Sequence, residues 1–279
     1  MRASCFTGIF EQMLKLFHSR YLFAATALFI GLQPSLAETI GFLYALDSDL
    51  AALKGADYSA PANMQVAETS IQGIQIGPHK VWATKMGVGN VETAMNTTHL
   101  LAKFPCDIVI STGPAGTLKN DLQPGTWVCA SEVIGYQRGT FADKGWILAN
   151  TAFQKMVIPT YVQSVLLAST QELTHAKLAS GDAFISQDAE RRRIQEISNA
   201  QVVDMNSFGL ALACQRAKTP LLILKVVSDR ADKHAGDDFK AFVKSYEGTG
   251  GRMTRDLILQ LPPSPSSPDT YENIRSLMR

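Results

Sequence analysis

Residues 221 to 232 read Leu221-Leu-Ile-Leu-Lys-Val-Val-Ser-Asp-Arg-Ala-Asp232. The first seven residues are almost entirely apolar, which is typical of a β-strand buried on both faces. At Ser228 and Asp229 the chain becomes polar. A carboxyl group at the mouth of an apolar strand is partly removed from water, so its pKa rises and it can donate a proton near neutral pH. Asp229 is therefore a candidate general acid, although capping of a following helix would also explain an aspartate here.

Short apolar runs and helical patterns alternate along residues 38–261. The apolar runs predict strands at 39–45, 72–76, 81–86, 107–112, 127–133, 202–205 and 221–227. The helical patterns lie at 91–103, within 158–174, and at 188–197, 206–216 and 239–261, the last interrupted at 248–251. This alternation predicts an α/β fold with three αβα layers and a mixed, mostly parallel central sheet.

Polar or glycine-rich segments follow five of the predicted strands, at 47–49, 87–89, 112–116, 204–206 and 228–232. In such sheets, ligands bind outside the carboxyl ends of the strands. We interpret Gly87-Val-Gly89 and Thr112-Gly113-Pro-Ala-Gly116 as strand-to-helix turns whose backbone N–H groups can hold an anion, although ordinary tight turns also use glycine. Asp49 is a candidate for holding a water molecule or a ligand hydroxyl, with a solvated carboxylate or a helix cap as the alternative. We expect Asp47 to be the cap.

The first 37 residues have the pattern of a secretory signal peptide. Basic residues precede an apolar run at 21–32, and the small residues Ser35 and Ala37 follow it. The run is short for a bilayer span, although an uncleaved membrane anchor is the alternative. The region before the run is long, so Met13 is a second candidate start. We expect a mature chain that begins near Glu38 and is secreted or periplasmic.

Composition excludes several classes of protein. A formal net charge of +1 gives no field for binding nucleic acid or acidic membranes. The cysteines and histidines show neither a disulfide framework nor metal-ligand spacing, so we expect no metal or cofactor. The cysteines in question are Cys5, Cys106, Cys129 and Cys214. The Pro- and Ser-rich segment 262–279 is expected to be a disordered tail after a domain spanning 38–261.

Six segments taken together resemble the nucleoside phosphorylase/nucleosidase superfamily, and most of all its 5′-methylthioadenosine/S-adenosylhomocysteine nucleosidases. In chain order they are Ile40-Gly-Phe-Leu-Tyr-Ala-Leu-Asp-Ser-Asp49, Gly87-Val-Gly89, Ser111-Thr-Gly-Pro-Ala-Gly116, Ser180-Gly-Asp-Ala-Phe-Ile185, Val203-Asp-Met-Asn206 and Val227-Ser-Asp-Arg-Ala-Asp232. They span nearly the whole of 39–261. The resemblance implies a phosphorylase/hydrolase-like fold and cleavage of the N-glycosidic bond of purine nucleosides.

The resemblance also implies roles for individual residues. Asp229 would protonate the purine leaving group and Ser228 would position it, while Asp49 would orient or activate the attacking water. The expected substrate-binding residues comprise a base pocket, a ribose contact and the groups near the glycine-rich segments: Phe184, Ile185, Met205, Asn206, Ser228, Thr112, Gly113 and Lys225.

Three residues depart from the family pattern, all on the sugar and water side. Asp49 is one methylene shorter than the usual glutamate. Asn206 replaces a glutamate that accepts hydrogen bonds from ribose hydroxyls, and charge-assisted bonds are about twice as strong as neutral ones. Lys225 replaces an arginine, so a point charge stands in place of a planar fork. The departures leave the identity of the nucleoside and the rate open.

Three hypotheses follow from the sequence. The first is a hydrolytic purine nucleosidase that uses water as acceptor. The second is a phosphorylase in which Gly87–Gly89, Thr112 and Lys225 hold phosphate. The third is a non-catalytic nucleoside-binding protein. By analogy with the family we expect a homo-oligomer, specifically a homodimer.

Overall fold

The computed structural model describes residues 38–55, 62–143 and 145–262. The predicted signal peptide, and all of the predicted tail except its first residue, lie outside these ranges. No helix within the described ranges is both long and apolar enough to cross a membrane.

The described residues form twelve strands and seven α-helices. The strands are β1 (Thr39–Tyr44), β2 (Ala62–Val66), β3 (Thr69–Ile76), β4 (His79–Lys85), β5 (Ile108–Thr117), β6 (Trp127–Gly135), β7 (Gly139–Ala142), β8 (Gly145–Leu148), β9 (Phe153–Lys155), β10 (Thr174–Ser180), β11 (Val202–Asp204) and β12 (Leu221–Asp229). The helices are α1 (Asp47–Lys54), α2 (Asn90–Lys103), α3 (Thr160–Ala168), α4 (Asp188–Ser198), α5 (Ser207–Ala217), α6 (Ala235–Ser245) and α7 (Thr249–Gln260). A 3₁₀ turn lies at Asn150–Ala152.

The main sheet has the strand order β11-β10-β6-β12-β5-β1-β4-β3-β2, with β9 paired to β6. Pairing of β11 with β5 closes β5, β12, β6, β10 and β11 into a ring. The β1–β4, β1–β5, β5–β12, β6–β10 and β10–β11 pairs are parallel, and the others are antiparallel. The predicted mixed α/β sheet is confirmed.

Alternate residues of the central strands face two different helix layers. In β12, Leu222 and Leu224 pack with apolar residues of α1 and α7, whereas Ile223 and Val227 pack with those of α2 and α5. Period-two alternation with both faces apolar is what a sheet between two helix layers requires. The three predicted layers are therefore confirmed, and both faces of β12 contribute to the core.

The second glycine-rich segment is part of a strand, so its prediction as a strand-to-helix turn was wrong. β5 continues through residues 113–116, which pair with β12, and Gly116 also pairs with Val203 of β11. The glycines are explained by close neighbours. A Cβ at Gly113 would lie 2.8 Å from Ala45 Cβ, and one at Gly116 would lie 2.8 Å from Asp229 Oδ1. Glycine in a strand interior marks such close approaches.

Asp47 does not cap α1, contrary to the prediction. The capping position is Leu46, no side chain bonds the helix N-terminus there, and Asp47 pairs with Lys85 at the surface. The predicted long closing helix is two helices, because the chain leaves the helical path at Tyr246 and restarts after Gly248, which has a left-handed φ of 73°. This break brings the N-terminus of α7 against α1.

Candidate active site

A cavity of about 320 Å³ opens at the carboxyl ends of β1, β4, β5, β10, β11 and β12. It is lined by Ala45, Leu46, Gly87, Val88, Pro114, Ala115, Gly116, Ala183, Phe184, Ile185, Val203, Asp204, Met205, Asn206, Ser228, Asp229, Ala231 and Phe239. The lining is mostly apolar with a few convergent polar groups, as is usual for small-molecule sites.

Asp229 is the last residue of β12 and lies in the cavity wall with 3% of its surface exposed. Its Oδ2 accepts a hydrogen bond of 2.7 Å from Ser228 Oγ, and its Oδ1 accepts one of 2.9 Å from Ala231 N. Burial raises the pKa of Asp229, against the opposing effect of these two hydrogen bonds. Since α6 begins only at Ala235, the capping alternative does not apply. The site holds a carboxyl group that is oriented and easily protonated.

Two aromatic rings flank the mouth of the cavity. Phe184, on the segment between β10 and α4, is 46% exposed and makes an edge-to-face contact with Phe239 of α6, with ring centroids 5.8 Å apart. Ile185 beside it is buried. Flat apolar walls of this kind suit a planar heterocycle, which they can contact on its face or edge.

Asp182 fixes the segment that carries Phe184. Its Oδ1 accepts a hydrogen bond of 2.5 Å from Asn90 N at the start of α2, and its own N–H donates to Gln137 Oε1 at 2.8 Å. Asn90 Oδ1 in turn accepts from Gly209 N at 2.8 Å. These bonds join the segments after β4 and β10 to helix α5.

Asn206 lines the cavity and also holds the segment after β4. Its Nδ2 donates to Gly87 O at 2.9 Å and to Thr93 Oγ1 at 3.0 Å. Because both N–H bonds of the amide are directed at this segment, Oδ1 is the atom left for a ligand, and it is an acceptor only.

Asp204 and Lys225 form a buried ion pair, with 2.8 Å between Lys225 Nζ and Asp204 Oδ2. Asp204 also accepts from Ser207 Oγ at 2.6 Å and from the Asn206 and Ser207 N–H groups. Burial acts to raise the pKa of Asp204, but Lys225 and these hydrogen bonds hold it below the ordinary value. Asp204 is therefore an anion within the cavity wall and a poor proton donor near neutral pH.

Asp49 lies in the first turn of α1 and is fully buried. Its Oδ1 accepts hydrogen bonds from Tyr246 Oη at 2.7 Å and from Gly251 N at 3.1 Å. Burial raises the pKa of Asp49, while Tyr246, Gly251, the Thr112 hydroxyl and the Lys225 ammonium act to lower it. Asp49 thus belongs, with Thr112 and Lys225, to a buried polar layer behind the cavity wall. This layer meets the wall where Lys225 pairs with Asp204.

The predicted site residues fall into two groups. Six line the cavity, namely Phe184, Ile185, Met205, Asn206, Ser228 and Asp229. The other four do not line it but belong to the buried layer, namely Asp49, Thr112, Gly113 and Lys225. Gly113 belongs there because its backbone passes Lys225, whose Nζ would lie 3.5 Å from an added Cβ.

The sequence prediction flagged the segment 204–206 but gave Asp204 no role, and it missed Phe239 and Tyr246. Asp204 could have been found, because it precedes Met205 at a strand end and a buried lysine on a central strand needs an acidic partner. Phe239 and Tyr246 reach the site only through the packing of α6, for which the sequence carries no local signal.

Comparison with known proteins agrees with this geometry. A family model described as the phosphorylase superfamily matches residues 39–259. The 5′-methylthioadenosine/S-adenosylhomocysteine nucleosidase of Staphylococcus aureus is 28% identical over 235 residues, which cover 80% of this chain and 100% of that protein.

Solved structures share the fold. The nucleosidase of the same name from Helicobacter pylori matches with a TM-score of 0.72 at 19% identity, over 80% of this chain and 98% of that one. Futalosine hydrolase from the same organism matches with a TM-score of 0.70 at 19% identity, over 81% of this chain and 97% of that one. With the family model covering nearly all of the described residues, this chain belongs to the phosphorylase superfamily.

Proposed function

We propose that this protein hydrolyses the N-glycosidic bond of purine nucleosides of the 5′-methylthioadenosine and S-adenosylhomocysteine type. The observation that carries the proposal is Asp229, a buried carboxyl group in a cavity wall, oriented by Ser228 and Ala231 and with a raised pKa. A protonated carboxyl group in this position supplies a general acid for a poor leaving group. The relative from Staphylococcus aureus, a nucleosidase by name, supports the same reaction.

In the proposed reaction, Asp229 delivers its proton to the imidazole ring of the purine. The C1′–N9 bond then breaks, its electron pair goes to the neutral base, and an oxocarbenium-like ribosyl centre forms. The anion Asp204, in the cavity wall beside Met205 and Asn206, stabilises this positive charge. A water molecule attacks C1′, and its proton passes by way of the Asp204–Lys225 pair to the buried carboxyl group of Asp49, so the products are free base and free sugar.

The charges near the sugar favour water over phosphate as acceptor. Among the described residues that line the cavity there is neither an arginine nor a lysine. Lys225 lies behind the wall and is neutralised by Asp204. A phosphate dianion would thus find no unpaired cation among the described lining residues, whereas a neutral water needs none.

The test is a panel of adenosine, 5′-methylthioadenosine, S-adenosylhomocysteine, inosine and guanosine, with and without phosphate, read as released base by chromatography. We expect adenine from the first three without phosphate. Release that depends strictly on phosphate and yields ribose 1-phosphate would replace the proposal with a phosphorylase. Binding without any release, unaltered by Asp229→Asn, would replace it with a nucleoside-binding protein.

We also propose that two copies of the chain associate beside the cavity. Val88 and Val91 are 75% and 69% exposed at the start of α2, and Met95 on the next turn is also exposed. Apolar side chains grouped at one helix end are typical of an interface. Light scattering should give a dimeric mass, and a monomer at micromolar concentration would contradict this.

Export is proposed from the sequence pattern of the first 37 residues. Fractionation of cells that express the full chain, with N-terminal sequencing of the purified protein, should place it outside the cytoplasm and give Glu38 as the first residue. A cytoplasmic protein that retains those residues would contradict export.

A further inference from the structure

Tyr246, between α6 and α7, makes a hydrogen bond to the buried carboxylate of Asp49 across 197 positions of sequence. The Tyr246 hydroxyl donates to Asp49 Oδ1 at 2.7 Å and accepts from Gly250 N at 2.8 Å. Gly251 N donates a second bond to Asp49 Oδ1 at 3.1 Å. Asp49 Oδ2, by contrast, makes no hydrogen bond of standard geometry with another described residue. Oδ1 is thus held by two donors, and the Thr112 hydroxyl and Lys225 ammonium also act on the carboxylate.

The surroundings allow the Tyr246 hydroxyl little freedom. Phe242, one turn earlier, stacks on its ring with centroids 4.8 Å apart. At the start of α7, a Cβ on Gly250 would lie 2.9 Å from the Tyr246 hydroxyl and 3.0 Å from Asp49 Oδ1, and one on Gly251 would collide with the backbone of Asp49. Two glycines therefore let the helix end reach the carboxylate.

We propose that Tyr246 is a positioning residue that holds Asp49 by Oδ1 and so fixes the carboxylate that takes up the proton of the attacking water. The inference rests on the proposed function, in which Asp49 takes up the proton of that water. A hydrogen bond donated to a carboxylate favours its ionised form, so Tyr246 also keeps Asp49 ready to act as a base. It thereby fixes a side chain that is shorter than the glutamate of the resembling family.

Other groups face the same carboxylate and set the background for its titration. The Thr112 hydroxyl on β5 and the Lys225 ammonium on β12 act to lower the pKa of Asp49, and the Gly251 N–H at the start of α7 acts in the same direction. Lys225 is already paired with Asp204 on β11. Burial raises the pKa of the Tyr246 hydroxyl and Asp49 acts in the same direction, whereas Gly250 N and Arg252 of α7 act to lower it. Removal of the Tyr246 hydroxyl takes away one of these influences on Asp49 and also leaves Gly250 N without its acceptor.

The experiment is Tyr246→Phe, which keeps the ring that stacks on Phe242. The acidic limb of the kcat profile should move up by about one pH unit, because one hydrogen bond to the ionised carboxylate is lost. At pH values on the acidic limb, kcat of the variant should be about tenfold lower than that of the unaltered protein. On the plateau at higher pH the two kcat values should be equal. KM should not change, since Tyr246 does not line the cavity.

The matched control is Tyr136→Phe. Tyr136 is buried, and its hydroxyl makes no hydrogen bond with another described residue. Its removal should leave the profile unchanged. A kcat of Tyr246→Phe that falls equally at every pH, or an acidic limb that does not move, would overturn the positioning role.

A second readout needs no activity and separates this inference from the proposed function. Tyr246→Phe should destabilise the protein more at about pH 8 than at about pH 5, because the lost bond is strongest to the ionised carboxylate. In an Asp49→Asn background this pH dependence should vanish. If the pH dependence persists in the Asp49→Asn background, Tyr246 is not coupled to the Asp49 carboxylate and the inference is overturned. If the unaltered protein releases no base, only the proposed reaction is overturned.

Discussion

Replacement of Asp229 by asparagine removes a proton and almost nothing else. Asparagine Oδ1 can still accept from Ala231 N at 2.9 Å, which sets the orientation of the amide. The amide nitrogen then takes the place of Oδ2, 2.7 Å from Ser228 Oγ, and the serine becomes the acceptor. The shape of the cavity wall and its ability to donate a hydrogen bond to a purine nitrogen are both preserved.

The loss of rate should be large because, among the described residues that line the cavity, no other carboxyl group has a raised pKa. Asp204 is the other carboxylate among the described residues that line the cavity, and Lys225 holds its pKa below the ordinary value. General acid catalysis contributes roughly 100- to 10,000-fold, which corresponds to about 3 to 5 kcal/mol of barrier. We therefore expect kcat of Asp229→Asn to fall within this range, with KM essentially unchanged.

The assay is adenine release from 5′-methylthioadenosine, with nucleoside binding measured by calorimetry. Asp237→Asn is the control, since it removes a carboxylate from an exposed position on α6. The reasoning is refuted if Asp229→Asn retains more than about a tenth of kcat, since that loss is below the contribution of a general acid. A large loss of affinity without a rate defect would assign Asp229 to binding.

Three further changes test the surrounding geometry. Gly116→Ala places a Cβ 2.8 Å from Asp229 Oδ1 and should lower kcat at least about tenfold by displacing that carboxyl group. Lys225→Met leaves Asp204 buried without its cation and should cost about 3 to 5 kcal/mol of unfolding free energy, measured in urea. Ser228→Ala removes a hydrogen bond that lowers the pKa of Asp229, so the acid stays protonated to higher pH and the alkaline limb of kcat should move up.

For each of these three substitutions, one outcome would contradict the prediction. Gly236→Ala is the control for the glycine, because nothing lies within 4 Å of its added Cβ, and a kcat loss there would show a general effect of the methyl group. A lysine variant destabilised by less than about 1 kcal/mol would mean that Asp204 becomes protonated or hydrated at little cost. If the alkaline limb of Ser228→Ala moves to lower pH, the Ser228 hydrogen bond raises the pKa of Asp229 instead of lowering it.

The sequence predicted most elements of the fold because their signals are local. The apolar run of β12, the hairpin of β3 and β4 around Gly77, and the amphipathic pattern of α4 each lie within a single window. The continuation of β5 through Gly113 and Gly116 could not be predicted in the same way. Those glycines are required by side chains of Ala45 and Asp229, which are distant in sequence. The same residues in a short window are equally consistent with a turn.

The residues of the candidate site likewise divide into those placed by local sequence signals and those placed by contacts distant in sequence. Phe184 and Asp229 lie at strand ends, where topology alone directs them to the edge of the sheet, and both line the cavity. The position of Asp49 depends on Tyr246 and on the break between α6 and α7. A hydrogen bond across that separation leaves no periodic or compositional trace, so the sequence supplies the carboxylate but not its orientation.

The departures at positions 206 and 225 form one coupled unit. Asp204 accepts from Asn206 N through one oxygen and pairs with Lys225 through the other, while Asn206 Nδ2 holds Gly87. Asn206→Glu alone would remove both donors from the segment after β4 and place a second carboxylate beside Asp204, with one lysine to balance the two. Side chains that share partners in this way do not change independently. We therefore expect the effects of Asn206→Glu and Lys225→Arg on kcat and KM to be non-additive, because a guanidinium offers five donors in a planar fork where the ammonium offers three.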